Sequence, residues 1–288
     1  MSISRQNLSV VIVTLKSKNI IHQCIKSINQ NVPIIVVENS NNQKFKDELE
    51  LKYENLKCIL SGSNLGMGAA NNIGIKFAKT NYVYILNPDT RLEENTLDEI
   101  FSISKKLSEF TILSPINTDL NFPNYNKKIK NEKENFPFQV DYVDGFSMLL
   151  NKNKFKNDIY FDENFFLYLE NNDLCARVKR EGGSIFIVPS AKINHSGSKT
   201  VDSKYKNEVE LSRNWHWIWS KFYFNKKNFG LFKAIIECFP SYISSLFKFL
   251  FYTLVNNNFK KKLYLNRASG FYNALIGKSS WYRPNLND

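Results

Sequence analysis

From Leu8 to Leu86 the chain alternates short apolar runs with longer amphipathic stretches. The runs are Leu8–Leu15, Ile34–Val37, Leu56–Leu60 and Tyr82–Leu86, and the stretches between them are Ile20–Ile28, Lys44–Tyr53 and Gly66–Ala78. Apolar runs of about four to eight residues predict buried strands, and amphipathic stretches of about ten predict helices. Their alternation predicts βαβ units, and so an α/β fold with a Rossmann-like, mostly parallel sheet flanked by helices. Ligands of such sheets sit beyond the carboxyl ends of the strands. The loops to read are therefore those opening at Thr14, at Glu38-Asn39-Ser40, at Ser61–Gly68 and at Asn87-Pro88-Asp89-Thr90.

The rhythm breaks at Asn117–Gln139, which is rich in Asn, Lys and Pro and longer than an ordinary connection. Such a loop is expected to be functional or mobile. Beyond it the pattern predicts a strand over Val140–Leu150, a helix over Leu169–Glu181 closed by Gly182-Gly183, and a strand over Ser184–Val188. Near Trp215 the character changes again, and 229–255 is apolar but interrupted by Lys233, Glu237, Pro240 and Lys248. A membrane-spanning helix needs about 20 apolar residues with few or no charges. The interruptions predict a segment lying at a membrane surface instead. The alternative is that these helices pack on the body of the protein or on a second copy, as a homodimer. Two domains are expected, residues 1–220 and a helical, basic amphipathic extension over 221–288.

Charge sharpens that division. The 288 residues carry 39 Lys and Arg against 27 Asp and Glu, a net charge of +12. From residue 221 onward eleven basic residues face two acidic ones, so nine of those twelve charges lie in the extension. A nearly neutral body with a basic end is not the footprint of a nucleic-acid groove, which interleaves basic and aromatic residues on one module. It fits a body that docks on an anionic lipid surface, at about 1 kcal/mol per basic residue near that surface. Four scattered cysteines make neither a disulfide framework nor a zinc cluster. The first apolar run is short, β-branched and lacks a small-residue cleavage site, so no signal peptide is expected there. The expected location is the cytoplasm, peripheral to the inner face of the membrane.

Four elements could carry chemistry. Asp89 follows a strand on a sharp Asn-Pro-Asp turn, where a lone carboxylate can hold a Mg²⁺ whose other ligands are substrate oxygens, although Asn-Pro-Asp is also an ordinary turn. The run SGSNLGMGAANNIGIKFA at 61–78 places glycines at a helix start, suited either to a phosphate or to close helix–sheet packing. It matches neither the P-loop nor the dinucleotide spacing. In FDENFFLYLENNDLCARVKREGG at 161–183, Glu170 near a helix start can act as a general base. His195, after the last predicted strand, can complete a divalent-metal site with Asp89 or serve as a hydrogen-bonding residue.

Taken in order, these elements resemble the family 2 glycosyltransferases of GT-A fold, nearest their rhamnosyltransferase-like subgroup. The resemblance rests on VVIVTL at 10–15, CIKSI at 24–28, VVENSN at 36–41, NLGMGAANNIGI at 64–75, YILNPDT at 84–90, DGFSMLL at 144–150, the 161–183 segment and VPSAKINHSGS at 188–198. It covers about residues 8–214, and the ordered set is far more specific than any one motif. It implies that Thr14 and Glu38 hold the nucleobase and ribose, and that Asn64, Gly66 and Asn72 flank the nucleotide and pyrophosphate. It implies that Asp89 is the last acid of a D-x-D metal motif whose first position is here Asn87, with His195 joining a Mg²⁺ or Mn²⁺. It implies that Glu170 is the base, that Asn171 replaces the usual second acid, and that Asp144, Gly145 and Asn171 face the donor sugar or the acceptor. The implied reaction is an inverting transfer from a nucleotide sugar, dTDP-L-rhamnose or a UDP-hexose, to a glycan or lipid-linked acceptor hydroxyl in bacterial surface polysaccharide synthesis. Two other readings of the residues are a sugar-phosphate nucleotidyltransferase and a degenerate scaffold that binds nucleotide sugars without turnover.

Overall fold

The computed structural model describes residues 3–28, 31–107, 109–119, 121–125, 136–195, 197, 201 and 203–286. Residues 126–135 of the long loop and Ser196 and Ser198 of the histidine segment lie outside the described residues. The chain forms two compact units, one of residues 1–162 and 171–201, the other of 163–170 and 202–288. The boundary expected at residue 220 falls inside a helix that runs from Lys206 to Phe229.

The first unit is built on one sheet. Strands β1 (Leu8–Thr14), β2 (Ile34–Glu38), β3 (Leu56–Leu60) and β4 (Tyr82–Leu86) appear where the apolar runs predict them. Helices α1 (Ile21–Ser27), α2 (Gln43–Lys52) and α3 (Met67–Phe77) connect them. Between Asn87 and Asn117, where the pattern yields no element, the chain adds β5 (Thr90–Leu92), α4 (Thr96–Lys106) and β6 (Ile112–Asn117). Then come β7 (Phe138–Gln139), β8 (Ser147–Asn151), α5 (Glu170–Arg180) and β9 (Ile185–His195). The order is β3-β2-β1-β4-β8-β6-β9-β5, with β7 also on β9. The expected parallel pairing holds through β3, β2, β1 and β4, and the sheet is mixed beyond, because β8 runs antiparallel to both β4 and β6.

The period of two along β1 shows why these residues make this sheet. Leu8, Val10 and Ile12 enter one core with α1, α2 and α4 side chains such as Cys24, Leu49 and Ile100. Val11 enters the opposite core with Ile75 of α3 and Leu174 of α5. Gly74 lets α3 approach the sheet, since a Cβ there would lie 2.5 Å from a Val11 methyl.

Two expectations are corrected. The strand expected over Val140–Leu150 begins only at Ser147, and the peptide of Asp144 instead bonds the carbonyl of Asn124 at 2.9 Å, which bends this segment into the site. The last strand does not stop at Val188. Pro189 has no N–H to give, so the ladder with β6 slips between Pro115 and Ile116, resumes at Lys192 and carries His195 into a strand.

The second unit is helical. Helices α6 (Lys206–Phe229), α7 (Leu231–Leu254) and α8 (Asn258–Leu275) pack around Trp215, Trp219, Phe222, Cys238 and Phe271. Gly270 lets α8 meet α6, because a Cβ there would lie 2.4 Å from the Trp215 carbonyl oxygen. Along α7 the small residues Ala234, Cys238 and Ser245 are buried, while Phe232, Ile236, Phe239, Phe247, Leu250, Phe251 and Leu254 are exposed. By length and composition α7 also meets the requirements of a membrane-crossing helix.

Candidate active site

The strand ends of the first unit bring the expected loops together. Thr14 and Glu38 are paired in register at the ends of β1 and β2. The Thr14 hydroxyl is buried and has no hydrogen-bond partner. The Glu38 carboxylate is already engaged, for Oε1 accepts from the Ser40 hydroxyl (2.5 Å) and Ser40 N–H (3.2 Å), and Oε2 from the Asn42 N–H (2.6 Å). Its visible work is to hold the loop that follows β2. Asn39, to which sequence reasoning gave no role, ties that loop to the start of α3. Its amide donates to Asn64 Oδ1 (3.2 Å) and to the Gly66 carbonyl (3.3 Å), and its oxygen accepts from the Leu65 N–H (3.0 Å). Gly66, at φ 85, opens α3 with no side-chain cap, and first-turn N–H groups left uncapped are suited to an anion.

Asn87, Asp89 and His195 form a second cluster. The pairing of β5 with β9 sets Thr90 opposite His195. Thr90 closes the Asn-Pro-Asp turn by donating from its hydroxyl (2.7 Å) and its N–H (3.2 Å) to the Asn87 carbonyl. His195 Nε2 stands 3.4 Å from Asp89 Oδ1, and its ring stacks on Phe146 with centroids 4.1 Å apart. Phe146 carries no chemical signal in sequence, and only the fold shows it as the wall that orients this imidazole. Asp144 also faces His195; burial raises its pKa and the histidine draws it back down. Both carboxylate oxygens of Asp89 and the amide oxygen of Asn87 are buried without hydrogen-bond partners. Buried orphan oxygens are costly unless something compensates them, and a hard, oxygen-seeking cation does so. These residues therefore fit a Mg²⁺ or Mn²⁺. Among the described residues no group of three His, Cys, Asp or Glu side chains clusters, so such an ion would take further ligands from the Asn87 amide and from a bound diphosphate.

Other expected residues do different work. Asn72, expected to flank the pyrophosphate, is bonded to the segment before α5. Its amide donates to the Phe161 carbonyl and accepts from the Phe161 N–H, each at 2.9 Å, clasping α3 to the segment before α5. Asn171 likewise donates to the Val143 carbonyl (2.9 Å), and Gly145 packs so close that a Cβ would stand 3.3 Å from the Asn171 Cβ. The pair fixes the 143–145 turn that carries Asp144.

Glu170 belongs with the second unit. Its carboxyl is buried, Oε2 has no partner, and loss of water pushes its pKa up to about 7 against a partial offset from its own backbone N–H. The two residues before it, Tyr168 (φ 70) and Leu169 (φ 65), are in the left-handed region, a strained arrangement typical of functional loops. The helices grip this loop closely. Ser220 Oγ donates to the Leu167 carbonyl and Ser280 Oγ to the Asn164 carbonyl, each at 2.7 Å. Arg283 lies 3.8 Å from the centroid of Phe166, whose other neighbour is the His216 ring at 4.5 Å. No local signal in the sequence links 163–170 to residues near 220 and 280.

With that geometry in place, comparison with known proteins is direct. The family model described as Glycosyl transferase family 2 matches residues 9–170. The chain is 25% identical over 226 residues to the low-salt glycan biosynthesis hexosyltransferase Agl10 of Haloferax volcanii, covering 72% of this chain and 69% of that protein. It is 25% identical over 214 residues to the dTDP-rhamnosyl transferase RfbF of Shigella flexneri, covering 68% and 71%. In fold it is similar to the mannosyltransferase PcManGT from Pyrobaculum calidifontis, solved with GDP-Man and Mn²⁺, at a TM-score of 0.56 and 12% identity, covering 95% of this chain and 76% of that one. The family match spans more than half of the chain and reaches from β1 to the buried carboxyl at the start of α5. The protein is a glycosyltransferase, a member of glycosyl transferase family 2 similar to that family's rhamnosyltransferases.

Proposed function

We propose that the protein is an inverting transferase that moves a sugar from a nucleotide donor, dTDP-L-rhamnose before UDP-hexoses, to a hydroxyl of a glycan or lipid-linked acceptor in bacterial surface polysaccharide synthesis. The observation that carries the mechanism is Glu170, a buried carboxyl with a free oxygen and a pKa near neutrality. A general base works best when its pKa lies close to the working pH. Glu170 takes the proton of the acceptor hydroxyl, the oxygen attacks the anomeric carbon, and the bond to the nucleoside diphosphate breaks on the opposite face. Asp89, His195 and the Asn87 amide oxygen would hold a divalent cation, which when bound offsets charge on the departing diphosphate. The first-turn amides of α3 add hydrogen bonds to the same group. Thr14 offers its hydroxyl to the nucleoside, and Glu38 acts on it through the loop it holds. The donor preference is supported by the similarity to the dTDP-rhamnosyl transferase RfbF, and UDP-hexoses stay second because of the similarity to the hexosyltransferase Agl10.

The extension would place this chemistry at the cytoplasmic face of a membrane. The large exposed apolar residues of α7 and the run Lys260-Lys261-Lys262 at the start of α8 suit an anionic lipid surface.

The test is a thermal-shift panel of the purified protein with UDP, GDP, CMP, dTDP and their common sugars, with and without Mg²⁺ or Mn²⁺, since a ligand of the folded state raises the midpoint by mass action. A selective rise with dTDP-rhamnose that grows with Mn²⁺ is expected, and Asp89→Ala should abolish the metal-dependent part. A rise only with UDP-sugars moves the donor and keeps the mechanism. A donor-induced rise without transfer to any acceptor would favour the scaffold reading.

A further inference from the structure

Three tryptophans lie within five residues of α6, and the helix treats them differently. Trp215 and Trp219 are 0% and 3% exposed in the helical core, whereas Trp217 is 45% exposed. The indole N–H groups of Trp215 and Trp219 are satisfied inside the unit, by Ser269 (3.3 Å) and the Lys278 carbonyl (3.0 Å). Trp217 instead meets Tyr168 edge to face, with centroids 5.4 Å apart and planes at 86°. Tyr168 is held there by its left-handed backbone, two residues before Glu170. Two rings at a right angle, one of them open to water, make an apolar corner with a polar phenol at its edge.

The surroundings of the corner are polar. Glu210 and Arg213 lie at i−7 and i−4 from Trp217 on α6, on the same helix face. Their charges, and that of Glu170, all act on the Tyr168 phenol, whose pKa is raised chiefly by burial. A pyranose presents what such a site can use, an apolar C–H face for an aromatic plane and a ring of hydroxyls for charged donors and acceptors. Trp and Tyr supply large contact area at low entropic cost. We propose that Trp217 and Tyr168, with Arg213 and Glu210, form the subsite for the acceptor's terminal pyranose. This rests on the reading of Glu170 as the base that activates an acceptor hydroxyl, because Tyr168 stands two residues before that carboxyl and feels its charge.

The test needs no knowledge of the natural acceptor. The 288-residue protein labelled with 5-fluorotryptophan has four tryptophans, and Trp217→Phe identifies the Trp217 signal in its ¹⁹F spectrum. Titration with methyl α-L-rhamnopyranoside, methyl α-D-glucopyranoside and N-acetylglucosamine should move that signal with at least one sugar and leave the buried Trp215 and Trp219 signals in place. Tyr168→Phe, which keeps the ring, should retain the response, and Tyr168→Ala should lose it. Trp217→Ala should raise about tenfold the midpoint concentration of the thermal shift given by whichever of the three sugars moves the signal, and leave the donor-induced thermal shift unchanged. A Trp217 signal unmoved by all three sugars, or moved only by dilution as a self-association contact would be, overturns the subsite. The donor-induced thermal shift reports separately on the transferase reading, so the two can fail independently.

Discussion

Burial gives Glu170 its reactivity and sets a pH signature. Its carboxyl keeps its proton up to about pH 7 in the folded protein, against about 4.5 in the unfolded chain. The folded state therefore binds the proton more tightly, and stability is lost as pH rises from about 4.5 to 7. The shift corresponds to roughly 3 kcal/mol. Glu170→Gln removes that penalty, so the variant should melt above the parent at pH 8 and level with it at pH 4, as a pair of calorimetric pH series will show. The same substitution should cut transfer by about 10²–10⁴-fold while the donor still raises the melting temperature, and the parent's rate should fall as pH drops below 7. Asn72 separates two uses of a polar residue in the opposite sense. It holds both the backbone N–H and the carbonyl of Phe161, so Asn72→Ala should cost about 2–3 kcal/mol in denaturant unfolding with little change in donor affinity. A large donor defect at unchanged stability would instead show Asn72 acting on the nucleotide. Asp89, His195 and Glu170 stood out as candidates because their chemistry is local, whereas Thr14 entered only through the family resemblance. The work of Asn72, Asn171 and Glu38 could not be read in that way, because an amide or carboxylate bonds whatever backbone the fold delivers.

Elements meet closely in this protein where a glycine removes a Cβ. At Gly270 the obstacle to a side chain is backbone, the carbonyl of Trp215, and not the flexible end of a side chain. Gly270→Ala should therefore separate α8 from α6 and destabilise the helical unit by about 1–3 kcal/mol or more. Because that unit grips residues 163–170 through Ser220, Ser280 and Arg283, transfer should fall with it, whereas donor binding by the first unit should persist. Thermal-shift and turnover measurements on the one variant decide this. Strands β1 to β4 and helices α1 to α3 were legible because each buries one consistent face. Strand β9 was not, since Pro-Ser-Ala reads as a loop and only the bulge opposite Ile116 lets the strand continue.

For the whole molecule the open matter is what covers α7. Its small residues pack inward and its large apolar residues face out beside a basic helix start, so anionic vesicles should pull the 288-residue protein down in a sedimentation assay, less so as salt rises. Phe247→Glu with Phe251→Glu should abolish co-sedimentation and leave the fold intact, because both side chains are exposed. Undiminished sedimentation of that variant would exclude α7 as the docking face. Deleting 229–288 is not a clean alternative, for Cys238 and Phe271 are part of the core that Trp215 and Phe222 need. The sequence by itself determined the α/β class, the order of the first strands and helices, the family and the residues with distinctive chemistry, because hydrophobic period and motif order are local and survive in one dimension. Only the tertiary structure decided that residues 163–170 fold with the C-terminal helices, that Phe146 backs His195, and that Glu170 loses its water. Each depends on contacts between residues far apart in the chain, and burial, which sets pKa and orientation, is a property of the packed chain and not of any segment.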